Sequence, residues 1–120
     1  MAVVFVIAGD WTLRTAVRAE LRESGVNALG MESAEDVCRA IASGQMPQAV
    51  VLEATGELAA DPAVQRLISR VPTVLIASRS EEISLPPESV AGRAEVFYRP
   101  VRIVDIVSRV RQILDRGAAA

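Results

Sequence analysis

Short aliphatic runs recur along this chain, and between them apolar positions fall three or four residues apart. The runs at 3–7, 49–52 and 73–77 are apolar at successive positions, as expected of strands covered by helices on both faces. A weaker run near 26–30 is interrupted by Asn27 and Gly30, and a fifth reads Glu95-Val96-Phe97-Tyr98. Five such alternations predict βαβ units: an α/β fold with a three-layer, doubly wound, parallel five-stranded sheet.

The helical stretches have local start and stop signals. Residues 11–23 predict a helix capped by Asp10, with Leu13, Ala16, Val17 and Leu21 facing inward and Ser24-Gly25 as its stop. A second opens at Ser33, with Asp36 at capping-box spacing, and places Ala34, Val37, Cys38 and Ile41 inward before Gly44 ends it. The third has Asp61 at the N-cap and Pro62 at the first helical position, with Val64, Leu67 and Ile68 inward. The last, about 102–116, carries Ile103, Ile106, Val107, Val110 and Ile113-Leu114. Between the fourth and fifth strands, Pro86-Pro87 forbid a long helix through 78–93, leaving one or two turns that stop at Gly92. A single domain over 1–117 with a frayed tail at 118–120 follows, without repeat or linker.

Composition narrows the chemistry. At 120 residues the chain can bury a continuous core without disulfides or a structural metal. The net charge is −2 and there is no basic run, so nucleic-acid binding is not expected. All 13 basic residues are arginine. Histidine is absent, which removes the commonest general base and transition-metal ligand. The single cysteine, Cys38, sits on a predicted inward stripe and reads as core filler. The apolar start at 1–7 is too short to span a bilayer, so no membrane role is expected and the predicted location is the cytoplasm.

The residues that close the strands are the most informative. The first strand is followed by Ala8-Gly9-Asp10, the third ends in Glu53, the fourth in Ala77 and the fifth in Arg99-Pro100. This order, with Pro47-Gln48-Ala49-Val50-Val51-Leu52-Glu53 and Val96-Phe97-Tyr98-Arg99-Pro100-Val101, resembles the response-regulator receiver domain over essentially the whole chain. The resemblance implies a flavodoxin-like sheet of order 2-1-3-4-5, with Ala8, Gly9, Glu53, Ala77 and Arg99 gathered beyond the strand carboxyl ends. It also implies a cis Arg99-Pro100 bond.

The departures from the receiver pattern fall on its chemistry. Receivers place two carboxylates where Ala8 and Gly9 stand, the phosphoacceptor aspartate at Glu53, Thr or Ser at Ala77, an aromatic switch residue at Val96 and Lys at Arg99. The segment after the acceptor also differs, reading Ala54-Thr55-Gly56-Glu57. Carboxylates hold Mg²⁺, which neutralises the incoming phosphoryl group. Ala8 and Gly9 supply none, and Asp10, as a helix cap, is expected to point elsewhere. Glu53 is one methylene too long, displacing its oxygens by roughly 1–1.5 Å, an error that can cost about a hundredfold.

The expectation is therefore a degenerate (pseudo-receiver) domain of two-component (phosphorelay) type. It is not an enzyme, has no cofactor, binds Mg²⁺ weakly or not at all, and acts by protein–protein interaction. The surface for that contact, a homodimer among the options, is the face of the fourth helix, fifth strand and last helix, where Val101 and Val104 stand. Two arrangements are open for Glu53 and Arg99: a fixed ion pair, or two side chains in solvent. Trp11 can cover the site or anchor a partner, but partial packing at the first helix end is preferred. The alternative function is a working receiver with Glu53 as acceptor. A flavodoxin-like small-molecule domain is weaker, because the first turn lacks a phosphate-cradling run and Asp10 repels phosphate.

Overall fold

The computed structural model describes residues 2–54, 56–78 and 94–119. The elements are β1 (Val3–Ile7), α1 (Trp11–Glu23), β2 (Asn27–Met31), α2 (Ala34–Ala42), β3 (Ala49–Glu53), α3 (Gly56–Ala60), α4 (Pro62–Ile68), β4 (Thr73–Ala77), β5 (Ala94–Tyr98) and α5 (Ile103–Ala119). All strand pairs are parallel and the sheet order is β2-β1-β3-β4-β5.

Successive strand residues face opposite sides, and the apolar runs feed two cores. Val4, Val6, Val51, Val74 and Ile76 pack with Leu13, Val17 and Leu21 of α1 and with Ile106 and Val110 of α5. Phe5, Ile7, Val50, Leu52 and Leu75 pack instead with Val37 of α2, Leu58 of α3 and Val64, Leu67 and Ile68 of α4. Each fully buried aliphatic side chain contributes roughly 1.5–3 kcal/mol.

Helix ends follow their local signals. Asp10 accepts from the Thr12 and Leu13 N–H groups. Ser33 accepts from the Asp36 N–H, while the Asp36 carboxylate accepts from Glu32 rather than from Ser33. Both α1 and α2 close in the same way. Val26 N–H donates to Leu21 O and Gly25 N–H to Arg22 O, with Gly25 at φ 84°. Gln45 and Gly44 repeat this at Ala40 O and Ile41 O, with Gly44 at φ 91°. These are paired bonds of the Schellman type, which glycine permits at positive φ.

Several expectations are corrected. Cys38 is exposed: the buried line of α2 is centred on Val37, flanked by Ala34 and Ile41, and Cys38 turns away from it. Ala16 is half-buried rather than part of the core stripe. Trp11, the first residue of α1, is 67% exposed. A helical turn, α3, precedes the helix begun by Asp61-Pro62. The last helix runs from Ile103 to Ala119, in keeping with the high helix propensity of alanine. The interrupted helix expected in 78–93 falls, apart from Ser78, outside the described residues. Among the described residues, no helix is long and apolar enough to cross a membrane.

Candidate functional site

The site lies beyond the carboxyl ends of β1, β3 and β5. Strand alternation decides which residues meet there. Val51 faces the α1/α5 core and Leu52 the opposite core, so Glu53 returns to the α1/α5 side at the strand end. Ala8 follows Val4 and Val6 on that side, and Arg99 follows Phe97. Ala77 has the other parity: it is buried in the opposite core with Leu75, and half-buried Val96 packs on that same core. Ala8, Glu53 and Arg99 therefore share one face, while Ala77 and Val96 lie behind it.

The backbone ladder continues past the strands and holds these ends together. Ala8 N–H donates to Met31 O at 2.9 Å, Ala54 N–H to Ile76 O at 2.8 Å, and Arg99 N–H to Ala77 O at 2.8 Å. The Arg99-Pro100 peptide bond is cis.

Glu53 is the centre of the arrangement. Its Oε1 accepts from the backbone N–H groups of Gly9 and Asp10, each at 3.0 Å. Its Oε2 accepts from Arg99 Nη2 at 2.5 Å. The Glu53 side chain is 10% exposed and that of Arg99 40%, so the pair sits at the rim of the interior. Of the two arrangements open for these residues, the structure has the pair.

Asp10 needs a correction. One carboxylate oxygen caps α1, but Oδ2 does not point elsewhere: it lies 3.7 Å from Arg99 Nη1. The guanidinium thus stands between two carboxylates, one from β3 and one from the β1–α1 turn. The sequence separation of 46 residues between Glu53 and Arg99 left no local signal for this bridge. Beside it, an open groove of about 580 Å³ is lined by Leu13, Ala16, Arg99, Pro100, Val101 and Ile103, among others.

The donor set does not fit a divalent metal ion. Among the described residues, no three Asp, Glu, His or Cys side chains converge. Both Glu53 oxygens already accept from N–H groups, Asp10 Oδ1 accepts from the backbone, and Arg99 supplies the positive charge. A Mg²⁺ ion needs near-octahedral oxygen ligation, and Ala8 and Gly9 offer no carboxylate toward it.

No protein-family model and no curated protein matches the sequence. Solved structures do match. A response regulator receiver domain protein from Clostridium thermocellum superposes with a TM-score of 0.76 at 14% identity, covering 99% of this chain and 98% of that one. A response regulator receiver protein from Burkholderia phymatum gives 0.74 at 21% identity, covering 96% of each chain. A response regulator from Thermotoga maritima gives 0.69 at 16% identity, covering 96% of this chain and 98% of that one. With its sheet order, the likeness establishes the fold of this chain as that of a response-regulator receiver domain across nearly its full length.

Proposed function

We propose that this chain is a signalling domain of the two-component type that is not phosphorylated and acts by contact with another protein. The observation that carries the reading is the saturation of Glu53: two backbone N–H groups hold one oxygen and a guanidinium holds the other. An acyl-phosphate-forming carboxylate needs a free oxygen in line with the phosphoryl donor, and a metal to neutralise the charge that builds up. Here the fixed charge of Arg99 takes the place of the metal, and Ala77 has no hydroxyl with which to contact a phosphoryl group.

In this reading the domain has no enzymatic step and no cofactor, and it works in the cytoplasm. Its conformation is set by the Glu53–Arg99 pair. The surface proposed for contact includes β5 and the start of α5, where Tyr98 is 45% and Val104 58% exposed, and a homodimer is one form such a contact takes.

A backbone amide NMR titration with Mg²⁺, then with beryllofluoride as acyl-phosphate mimic, tests this. Silence at Gly9, Ala54, Ala77 and Arg99 is the expected result. Saturable shifts at those amides, spreading to Val96 and α5, would sink the proposal and establish a working receiver with Glu53 as acceptor.

A further inference from the structure

Three arginines of α1, namely Arg14, Arg18 and Arg22, lie over the open edge of the sheet. Strand β2 is an edge strand. Its odd residues bond to β1, as Asn27 N–H to Ala2 O and Ala8 N–H to Met31 O show, so the Ala28 carbonyl points to the free edge. Arg18 Nε and Arg22 Nε both donate to that carbonyl, at 3.2 and 3.3 Å. Arg14 Nη1 donates to Ala8 O at 2.6 Å. Gly30 lies beneath their stems: a Cβ there would stand in van der Waals contact with Arg14 Cγ and Cδ at 3.4 Å and with Arg18 Cδ at 3.5 Å.

Among the described residues these cations have no anion. Arg39, Arg99, Arg102 and Arg109 are each paired with carboxylates, but among the described residues none lies within ion-pair distance of Arg14, Arg18 or Arg22. Like charges four residues apart on a helix repel one another. The carboxylates of the same helix, Glu20 and Glu23, fall roughly 140–200° around the axis from the middle of the stripe, by the 3.6-residue turn. Each guanidinium spends one nitrogen on a backbone carbonyl and keeps others for a ligand, so the stripe is positioned before any partner arrives.

We infer that Arg14, Arg18 and Arg22 form a docking surface for an acidic protein segment, one presenting about three carboxylates along a stripe of roughly 12 Å, the length of eight helical residues. This adds a second contact surface, at the β2 edge, to the one proposed at β5 and α5, and it rests on the protein-contact role proposed above. A strand-adding partner is disfavoured because the edge carbonyl is already taken. A nucleic acid is disfavoured because the chain carries a net charge of −2 and a pI near 5.2, whereas such partners need a broad positive field.

The test uses the ¹⁵N-labelled full chain and a synthetic helical peptide with three glutamates at four-residue spacing. Saturable shifts confined to the amides of 14–22 and 27–30, with affinity falling as salt rises, are expected. The Arg18→Gln/Arg22→Gln variant should bind at least tenfold more weakly. Glutamine can still donate to Ala28 O, so this variant should keep its fold, which thermal melting checks. The Arg18→Lys/Arg22→Lys variant should keep most of the binding. Equal binding of a glutamine-for-glutamate peptide, or unchanged binding by the Gln variant, would overturn the inference. So would tighter binding of inorganic polyphosphate, or concentration-dependent shifts at the same amides without peptide. The metal and beryllofluoride titration reads a different set of amides, so failure of the phosphorylation reading and failure of this surface are separately visible.

Discussion

Arg99 and Glu53, 46 residues apart in sequence, meet Nη2 to Oε2 at 2.5 Å across the carboxyl edge of the sheet. Strand β4 lies between their two strands, so the pair bridges the sheet end where metal and phosphoryl group act in a working receiver. Removing one member of a buried pair typically costs about 3–5 kcal/mol, because a charge is left without its partner. Arg99 is 40% exposed and solvent screens part of this, so Arg99→Met is expected to cost about 1–2 kcal/mol. A double-mutant cycle with Glu53→Gln, followed by urea denaturation, should return a favourable coupling. Zero coupling would mean the pair does not set the site.

Shortening the acid tests the reach of the same carboxylate. Glu53 Oε1 and Oε2 span from the Gly9 and Asp10 N–H groups to Arg99. Glu53→Asp withdraws both oxygens by roughly 1–1.5 Å and should lose at least one of these bonds, a loss of about 1–3 kcal/mol for a charge-assisted hydrogen bond. Stability equal to the parent in urea would show that the backbone closes the gap.

Asp10 has two partners, the α1 backbone and Arg99. Asp10→Asn keeps a capping oxygen and removes the charge, whereas Asp10→Ala removes both. The alanine variant should lose about 0.5–2 kcal/mol, and the asparagine variant clearly less. Chemical denaturation of the two side by side separates cap from charge.

Glycine positions divide by backbone conformation. Gly9→Ala should stay within about 0.5 kcal/mol of the parent, since its Cβ would meet only Glu53 Oε1, at 3.6 Å. Gly44→Ala should cost roughly 1 kcal/mol, because φ there is 91° and alanine is strained in that region. Thermal melting of the two variants should rank them in that order.

Cys38 is exposed on α2, and its thiol should react fully with a disulfide reagent in the native state without denaturant. Reaction only on unfolding would return it to the core.

The strands, most helix boundaries and the parallel sheet were legible because their causes are local: apolar runs, Asp10, Ser33 and Asp61 as caps, and Gly25 and Gly44 as stops. The helix α3 was not, since five residues hold too little periodicity to read. The orientation of Cys38 was not legible either, because inward and outward differ by a single step around α2 and only its packing on the sheet chooses between them. At the site, the sequence determined which groups are present: no carboxylate at Ala8 or Gly9, a glutamate at 53 and an arginine at 99. Tertiary structure alone decided that Glu53 saturates its oxygens on Gly9, Asp10 and Arg99, that Asp10 serves α1 and Arg99 together, and that Arg18 and Arg22 share the Ala28 carbonyl. The reason is physical: a side chain's partners depend on strand parity and on register between elements distant in sequence, and neither is carried by local composition.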